Sequence, residues 1–414
     1  MPRRRSHGLT FATAAAGAAP IVIFASLFAL SGCQGGADDN GCSITHQLVI
    51  PGTSPLALLT DVRIDRTGDG LVIFGNDGTA LHWIIVDGNN VFGEERTFPY
   101  PPDTLGATYA LAGAEAPGDR VMIGLVLPAA NGTDAELRLV AAPADGSAAP
   151  EPGAPIARFG GGVNSAPIVA LGQSASGMLA GAAWVDFDSG FPTYALVDGQ
   201  GQVVIGPAII ENGAASGYAC LGFTPGKGEV TVTYQRGPID SRLGPNWMIA
   251  DIDATGGIST LNLNVAQTLG TMSCARTVLY NPMMSGAPPE YAIVWQDTSG
   301  TWLSVYYGPQ TGMVKSFPFS SSTDFGGADL QPPVVGFAAF GNDFGVLFAR
   351  PHAVEVWRVD RAGNRRAGSL PLPSVQGDTR GISSTPSPGL LTSTYADLTG
   401  PDTGRRLIVD AVCY

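Results

Sequence analysis

Leu71-Val-Ile-Phe-Gly-Asn-Asp-Gly-Thr-Ala-Leu-His-Trp-Ile-Ile-Val-Asp-Gly88 decides the fold. Two runs rich in β-branched and aromatic residues flank an Asn76-Asp77-Gly78 turn, and a second turn follows at Gly88. Such runs, bounded by Gly, Asn and Asp, are strands of a hairpin. The phrase returns as Arg120–Pro128 with Glu136–Ala142, and as Met178–Val185 with Thr193–Asp198. It recurs as Glu229–Gln235 with Trp247–Asp253, Tyr291–Gln296 with Trp302–Tyr307, and Gly345–Arg350 with Ala353–Asp360. The turn glycines after each second strand are Gly88, Gly146, Gly199, Gly256, Gly312 and Gly363, at intervals of 58, 53, 57, 56 and 51 residues. A period near 50 with several short strands per unit marks a propeller blade, not a helical solenoid.

Between the units lie further apolar segments: Leu58–Ile64, Tyr109–Ala112, Pro167–Leu171, Ala219–Phe223, Ala275–Tyr280 and Val334–Phe340. Each is expected to be the innermost strand of a four-stranded blade. Six units are complete. The C-terminus adds Leu390–Tyr395 and Arg406–Cys413, two middle strands without an outer one, and Ser43–Ile50 is a strand without a unit. Joining them completes a seventh blade and removes the open sheet edges that template aggregation. The expected architecture is therefore all-β, a seven-bladed β-propeller over residues 42–414 whose N-terminal strand completes the C-terminal blade. Tandem β-sandwiches are the alternative that strand spacing alone permits.

This closure pairs Cys42 with Cys413, because the end of a third strand lies beside the start of a fourth. Cys220 and Cys274 stand 54 residues apart, one period, on inner strands of adjacent blades. They are expected either to form a second disulfide or to remain buried thiols.

Composition agrees with many short strands. The chain holds 56 Gly and 32 Pro among 414 residues, with 14% charged. Its formal charge is −13; the first 33 residues carry Arg3, Arg4 and Arg5 and no acid, which leaves −16 for the remainder. With Lys227 and Lys315 as its only lysines, such a chain has no basic surface for nucleic acid. Anionic headgroups repel it as well.

The first residues read as an export signal. A basic head precedes an uncharged apolar run, Leu9–Leu30, that ends in Leu30-Ser31-Gly32-Cys33. That ending resembles the lipobox of bacterial lipoproteins. The resemblance covers residues 1–33 and implies cleavage after Gly32 and a diacylglycerol thioether on Cys33. An uncleaved membrane anchor is the competing reading, since 22 residues are enough to span a bilayer, although Pro20 weakens it. The domains expected are thus 1–32 signal peptide, 33–41 lipidated Cys33 with a Gly-rich tether, and 42–414 propeller. Gln34, in place of an Asp, points to the outer membrane by the enteric sorting pattern.

Catalytic signatures are missing from the sequence. No Gly-x-Ser-x-Gly elbow, phosphate loop, His-Glu-x-x-His or Cys-x-x-Cys occurs, so no catalytic residue and no metal site is assigned. His46, His82 and His352 fall in three different units and read as structural. Asp65-Arg-Thr-Gly-Asp69-Gly70 begins like a calcium loop, but the twelfth position is Asn76 instead of a bidentate Glu. Asp186/Asp188 and Asp251/Asp253 have an i, i+2 spacing that also suits calcium. For all three stretches plain turns are expected and no cofactor. Trp83, Trp247, Trp302 and Trp357 recur in third strands and are expected between blades instead of on a sugar-binding face. The functional expectation is a non-catalytic, lipid-anchored propeller that presents a protein- or glycan-binding surface at the outer membrane or cell surface. The alternatives are a propeller enzyme acting on extracellular polysaccharide, signalled by carboxylates and an Arg converging at the axial mouth, and a scaffold for outer-membrane protein assembly.

Overall fold

In the computed structural model the chain forms seven antiparallel sheets of four strands each. The structure describes residues 41–413 except 60, 69, 114–118, 149–150, 161–168, 187, 214–216, 227, 238–245, 263–270, 281–289, 298–299, 307–313, 322–323, 325–332, 342, 351–352, 367, 373–382, 388–389 and 398–404. Strand β1 (Cys42–Val49) comes first in the chain but belongs to the last blade. Blade 1 is β2 (Asp61–Thr67), β3 (Gly70–Asn76), β4 (Ala80–Val86) and β5 (Arg96–Pro99), in that order from the inside. Blade 2 is β6 (Gly106–Ala112), β7 (Arg120–Pro128), β8 (Ala135–Pro143) and β9 (Glu151–Phe159); blade 3 is β10 (Val169–Gln173), β11 (Ala180–Val185), β12 (Pro192–Val197) and β13 (Val203–Ile209). Blade 4 is β14 (Tyr218–Pro225), β15 (Val230–Arg236), β16 (Asn246–Ile252) and β17 (Ile258–Asn262). Blade 5 is β18 (Thr271–Tyr280), β19 (Glu290–Asp297), β20 (Thr301–Tyr306) and β21 (Val314–Ser320). Blade 6 is β22 (Val334–Phe340), β23 (Asp343–Arg350), β24 (Ala353–Asp360) and β25 (Leu370–Pro371). Blade 7 is β26 (Ser383–Ser387), β27 (Leu390–Asp397), β28 (Arg405–Cys413) and, outermost, β1.

The middle strands are apolar on both faces because each sheet is covered by a neighbour on either side. β3 and β4 are buried at all but one of their seven positions each. Among the described residues every interblade interface holds its own apolar cluster. Val72, Phe74 and Trp83 meet Tyr109 and Ile123 between blades 1 and 2, and Ile408 meets Ile64 and Ile73 between blades 7 and 1. The other five interfaces are filled in the same way. Two sandwiches would give two cores; seven cores in a closed circuit give a ring, and the tandem-sandwich alternative falls.

β1 pairs antiparallel with β28, with Cys42 directly opposite Cys413. Their sulfurs are bonded at 2.00 Å. The disulfide stands where the other blades have the turn from third to fourth strand.

One inner strand begins later than its composition suggests. Leu58–Ile64 was expected, but β2 runs Asp61–Thr67. Ser54 accepts the Leu56 N–H at 3.2 Å and Pro55 opens a short 3₁₀ turn, Pro55–Ala57, so the apolar Pro-Leu-Ala-Leu run is a capped turn. Its carbonyls are held by the buried Arg406 of β28, which donates to Leu56 O at 3.3 Å and to Leu59 O. Desolvation lowers the Arg406 pKa to about 10.

Blades also meet through their third-to-fourth turns. Asp87, Asp198, Asp253 and Asp360 each accept the N–H groups two and four residues on, at 2.8–2.9 Å. Gly256 (φ 85°) then lies against Ile205 of the preceding blade, where a Cβ would come within 2.8 Å of the Ile205 Cγ2.

Candidate functional site

Alternating strands give the ring two unlike ends. The first-to-second and third-to-fourth turns crowd one end, which also bears Cys42. The blade-to-blade connections and second-to-third loops form the other, where inner strands start. Inner strands supply the axial lining, so their side chains are the first place to seek a site.

β2 differs from the other described inner strands. Asp61, Arg63 and Asp65 alternate with buried Val62 and Ile64 and so share one face of the strand. That face is turned to blade 2. The Arg63 guanidinium lies 5.0 Å from the centroid of the Tyr109 ring, and its Nη1 is 3.5 Å from the Tyr109 carbonyl oxygen. The Tyr109 hydroxyl donates to the Asp61 carbonyl at 3.2 Å. Asp65 Oδ2 accepts the Leu111 N–H at 3.3 Å. Burial is the main influence on Asp65 and raises its pKa to about 6, against the opposing pull of the Leu111 bond and Arg63. β6, β10 and β22 supply Gly, Ala, Thr, Tyr, Val, Leu, Gln and Phe at their inner positions. The charged axial groups among the described side chains therefore come from one strand and do not converge from several blades.

Two further polar clusters sit toward the connection end. In blade 1 His82 places Nε2 3.0 Å from Asp77 Oδ2 and Nδ1 3.2 Å from Glu95 Oε1, and the Ser54 hydroxyl donates to Glu95 at 2.5 Å. The His82 bond, ahead of those from Thr79 and Ala80, holds the Asp77 carboxyl below the usual carboxylate range. Ser54 reaches Glu95, and the Thr97 hydroxyl lies 3.3 Å from His82 Nδ1. Between blades 3 and 4, Glu211 accepts from Arg236 Nη1 and, at 2.7 Å, from the Tyr234 hydroxyl. The Tyr218 ring lies 5.9 Å from Tyr234 and 6.3 Å from Phe191. Burial first, then Glu211, raises the Tyr234 pKa.

The residues singled out in the sequence are placed as follows. Cys33 lies outside the described residues. Cys42 and Cys413 are joined. Cys220 is disulfide-bonded; it has a positive φ of 54° and sits in the register break of β14 between Ala219 and Gly222. Cys274 falls in the matching break of the neighbouring β18, between Ser273 and Arg276, and its side chain lies outside the described residues. His46 is exposed on β1, 3.7 Å from Asp410, and His352 lies outside the described residues. Asp65 lies within the inner strand β2 of blade 1, and Asp69 lies outside the described residues. Asp251 accepts from Thr231 at 2.7 Å and from Tyr291 of the next blade, while Asp253 caps its turn. Asp186 accepts from Ser189 in the 186–191 turn, and Asp188 is exposed there. Trp83, Trp247 and Trp357 are buried, and Trp83 Nε1 donates to Ala144 O of blade 2 at 2.8 Å. Trp302 stacks on Trp295 at 5.3 Å. The tryptophans pack between blades and form no exposed stripe. No group of three or more His, Cys, Asp and Glu among the described residues could hold a metal ion. No helix among them is long and apolar enough to cross a membrane.

The ladder of Asp61, Arg63 and Asp65 was missed in the sequence, although Asp-Val-Arg-Ile-Asp alternates charge with apolar residues, whereas the inner strands of the other blades carry no acid and a single charge, Arg276. Shifting the strand three residues would have found it.

No protein-family model matches the chain, and no curated protein matches it in sequence. Solved structures of similar shape include a prolyl endopeptidase, 11% identical, with TM-score 0.47 over 88% of this chain and 52% of that one. This chain thus spans about half the length of that enzyme. A protein of unknown function from Dyadobacter fermentans is 11% identical, with TM-score 0.46 over 90% of this chain and all of that one. An α-L-arabinanase from Penicillium chrysogenum is 10% identical, with TM-score 0.44 over 90% of this chain and 98% of the other. Likenesses this distant carry no argument about activity.

Proposed function

We propose that this protein is a lipid-anchored propeller of the bacterial cell envelope, tethered through Cys33 to the outer membrane, that binds a protein or glycan partner at its axial mouth without catalysing a reaction. The observation that supports a binding role is that, among the described inner-strand side chains, the charged ones lie on β2. Hydrolysis of a glycosidic bond needs two carboxylates facing each other across the substrate. Asp61 and Asp65 share one strand four residues apart, about 13 Å along the chain. A ladder of Asp, Arg and Asp beside the Tyr109 ring suits recognition of an extended partner better than bond cleavage. Held at the membrane by its lipid, the acidic surface stays clear of anionic headgroups.

The experiment is affinity capture from native envelope with the full lipidated protein and an Arg63→Glu variant of equal melting temperature. A partner or glycan recovered by the wild type and lost with the variant is the expected result. Recovery unaffected by the variant contradicts the axial site.

The raised pKa of Asp65 favours a second reading, an enzyme acting on extracellular polysaccharide. A half-buried acid titrating near 6 is suited to proton transfer near neutrality. Release of reducing ends from envelope polysaccharide that Asp65→Asn abolishes would establish that reading and overturn the non-catalytic one.

A further inference from the structure

The joint between blades 5 and 6 leaves an open groove of about 490 Å³ on the rim, away from the axial lining. One wall is the end of β21 with the residues after it, Pro318, Phe319, Ser321 and Asp324; the other is the turn carrying Asn364 and Arg365. At blades 1 and 2 the matching place holds only about 170 Å³, between Arg96 and Asp145. The groove at blades 5 and 6 is the wider of the two and is open to solvent.

Arg365 is set in place before any ligand arrives. Its guanidinium lies 3.4 Å from the centroid of the Trp357 ring, which fixes its plane. Its Nη1 is 3.9 Å from Asp324 Oδ1, beyond hydrogen-bond reach, and among the described residues its side chain makes no hydrogen bond. Asp324 is steadied from the other side, where Oδ2 accepts the Ser321 N–H at 2.7 Å and the Ser321 hydroxyl at 3.0 Å. Oδ1 is the atom that faces Arg365. Asn364 is anchored through its amide nitrogen, 2.9 Å from Asp360 Oδ2.

We infer that this groove binds a neutral sugar, with the Arg365 guanidinium and the Asp324 carboxylate dividing donor and acceptor roles toward neighbouring hydroxyls. One positive and one negative group line it, so a ligand of net charge leaves one of them opposed. A polyhydroxylated ring uses both, since each hydroxyl can donate and accept. Pro318, exposed at the end of β21, supplies an apolar surface for the C–H side of the ring. The site is independent of the axial ladder.

Isothermal titration of the detergent-solubilised full protein with maltose, cellobiose, trehalose and diacetylchitobiose tests it. At least one of the four is expected to bind, with affinity falling tenfold or more in Arg365→Ala and Asp324→Ala. Ser321→Trp, which fills the groove without removing the charged pair, is expected to abolish binding while the melting temperature holds. Arg63→Glu is expected to leave it unchanged, so failure of the axial reading does not disturb this one. Absence of binding by all four sugars, or binding that Arg365→Ala and Ser321→Trp leave intact, would overturn the proposal.

Discussion

At Asp65 and Asp77 two carboxylates of the same blade are displaced in opposite directions, and their pH signatures differ accordingly. Asp65 titrates near 6 in the folded chain because burial disfavours its charge. A raised carboxyl binds its proton more tightly when folded. Its contribution is fully present below the unfolded value near 4 and is lost as pH rises through 6. Asp65→Asn keeps an oxygen for the Leu111 N–H and removes the buried charge. It is expected to raise stability at pH 8 by on the order of 2 kcal/mol and to change little at pH 4, as read by urea denaturation at both values. Asp77 is the reverse case: bonds from His82 and Thr79 hold it low, so its stabilisation is present above the unfolded value and fades as pH falls through the lower folded one. His82→Gln should therefore make melting temperature less dependent on pH along the acid limb. Packing at the same scale is decided by Gly181, where a Cβ would overlap the Phe223 ring of blade 4. Gly181→Ala should destabilise by about 1–3 kcal/mol, measurable by the same denaturation.

Elements were legible where period and turn chemistry agreed, and illegible where a polar cap competed with an apolar run. β7, β22 and β24 begin and end at the residues their composition marks. Leu58–Ile64 failed because Ser54 and Pro55 start a 3₁₀ turn in which Leu56 and Ala57 are buried as deeply as strand residues. The same displacement hid the charged ladder, since the Asp61, Arg63 and Asp65 alternation is plain once the strand starts at Asp61. Glu211, Tyr234 and Arg236 were beyond reach for another reason: Glu211 follows β13 while Tyr234 and Arg236 lie on β15, and only the blade 3–4 interface brings them together. Of the aspartates expected in turns, Asp186 and Asp253 are found as turn formers, whereas Asp65 and Asp251 lie in β2 and β16 and bond across to the next blade. Asp253→Ala removes bonds to Thr255 N, Thr255 Oγ1 and Gly257 N, and the loss of them should lower the melting temperature slightly. Because Gly256 lies on Ile205, hydrogen exchange should rise in β13 as well as in the turn.

Across the whole molecule, stability rests on a circuit whose main chain is continuous everywhere except between β1 and β28. Seven interfaces of similar make-up share the load, and the Cys42–Cys413 bond links residues 371 apart. Restricting so long a loop in the unfolded chain contributes on the order of 5 kcal/mol by chain entropy. Cys42→Ser should lower the melting temperature and expose β1 to hydrogen exchange ahead of every other strand. Closure was readable from the sequence because both ends were incomplete in complementary ways: two middle strands at one terminus, one outer strand at the other. The most direct test is peptide mapping of the unreduced protein by mass spectrometry. A single cross-linked species joining the Cys42 peptide to the Cys413 peptide is predicted, with Cys220 absent from it. Recovery of Cys42 joined to Cys220 or Cys274, or of Cys42 and Cys413 as free thiols, would contradict the ring.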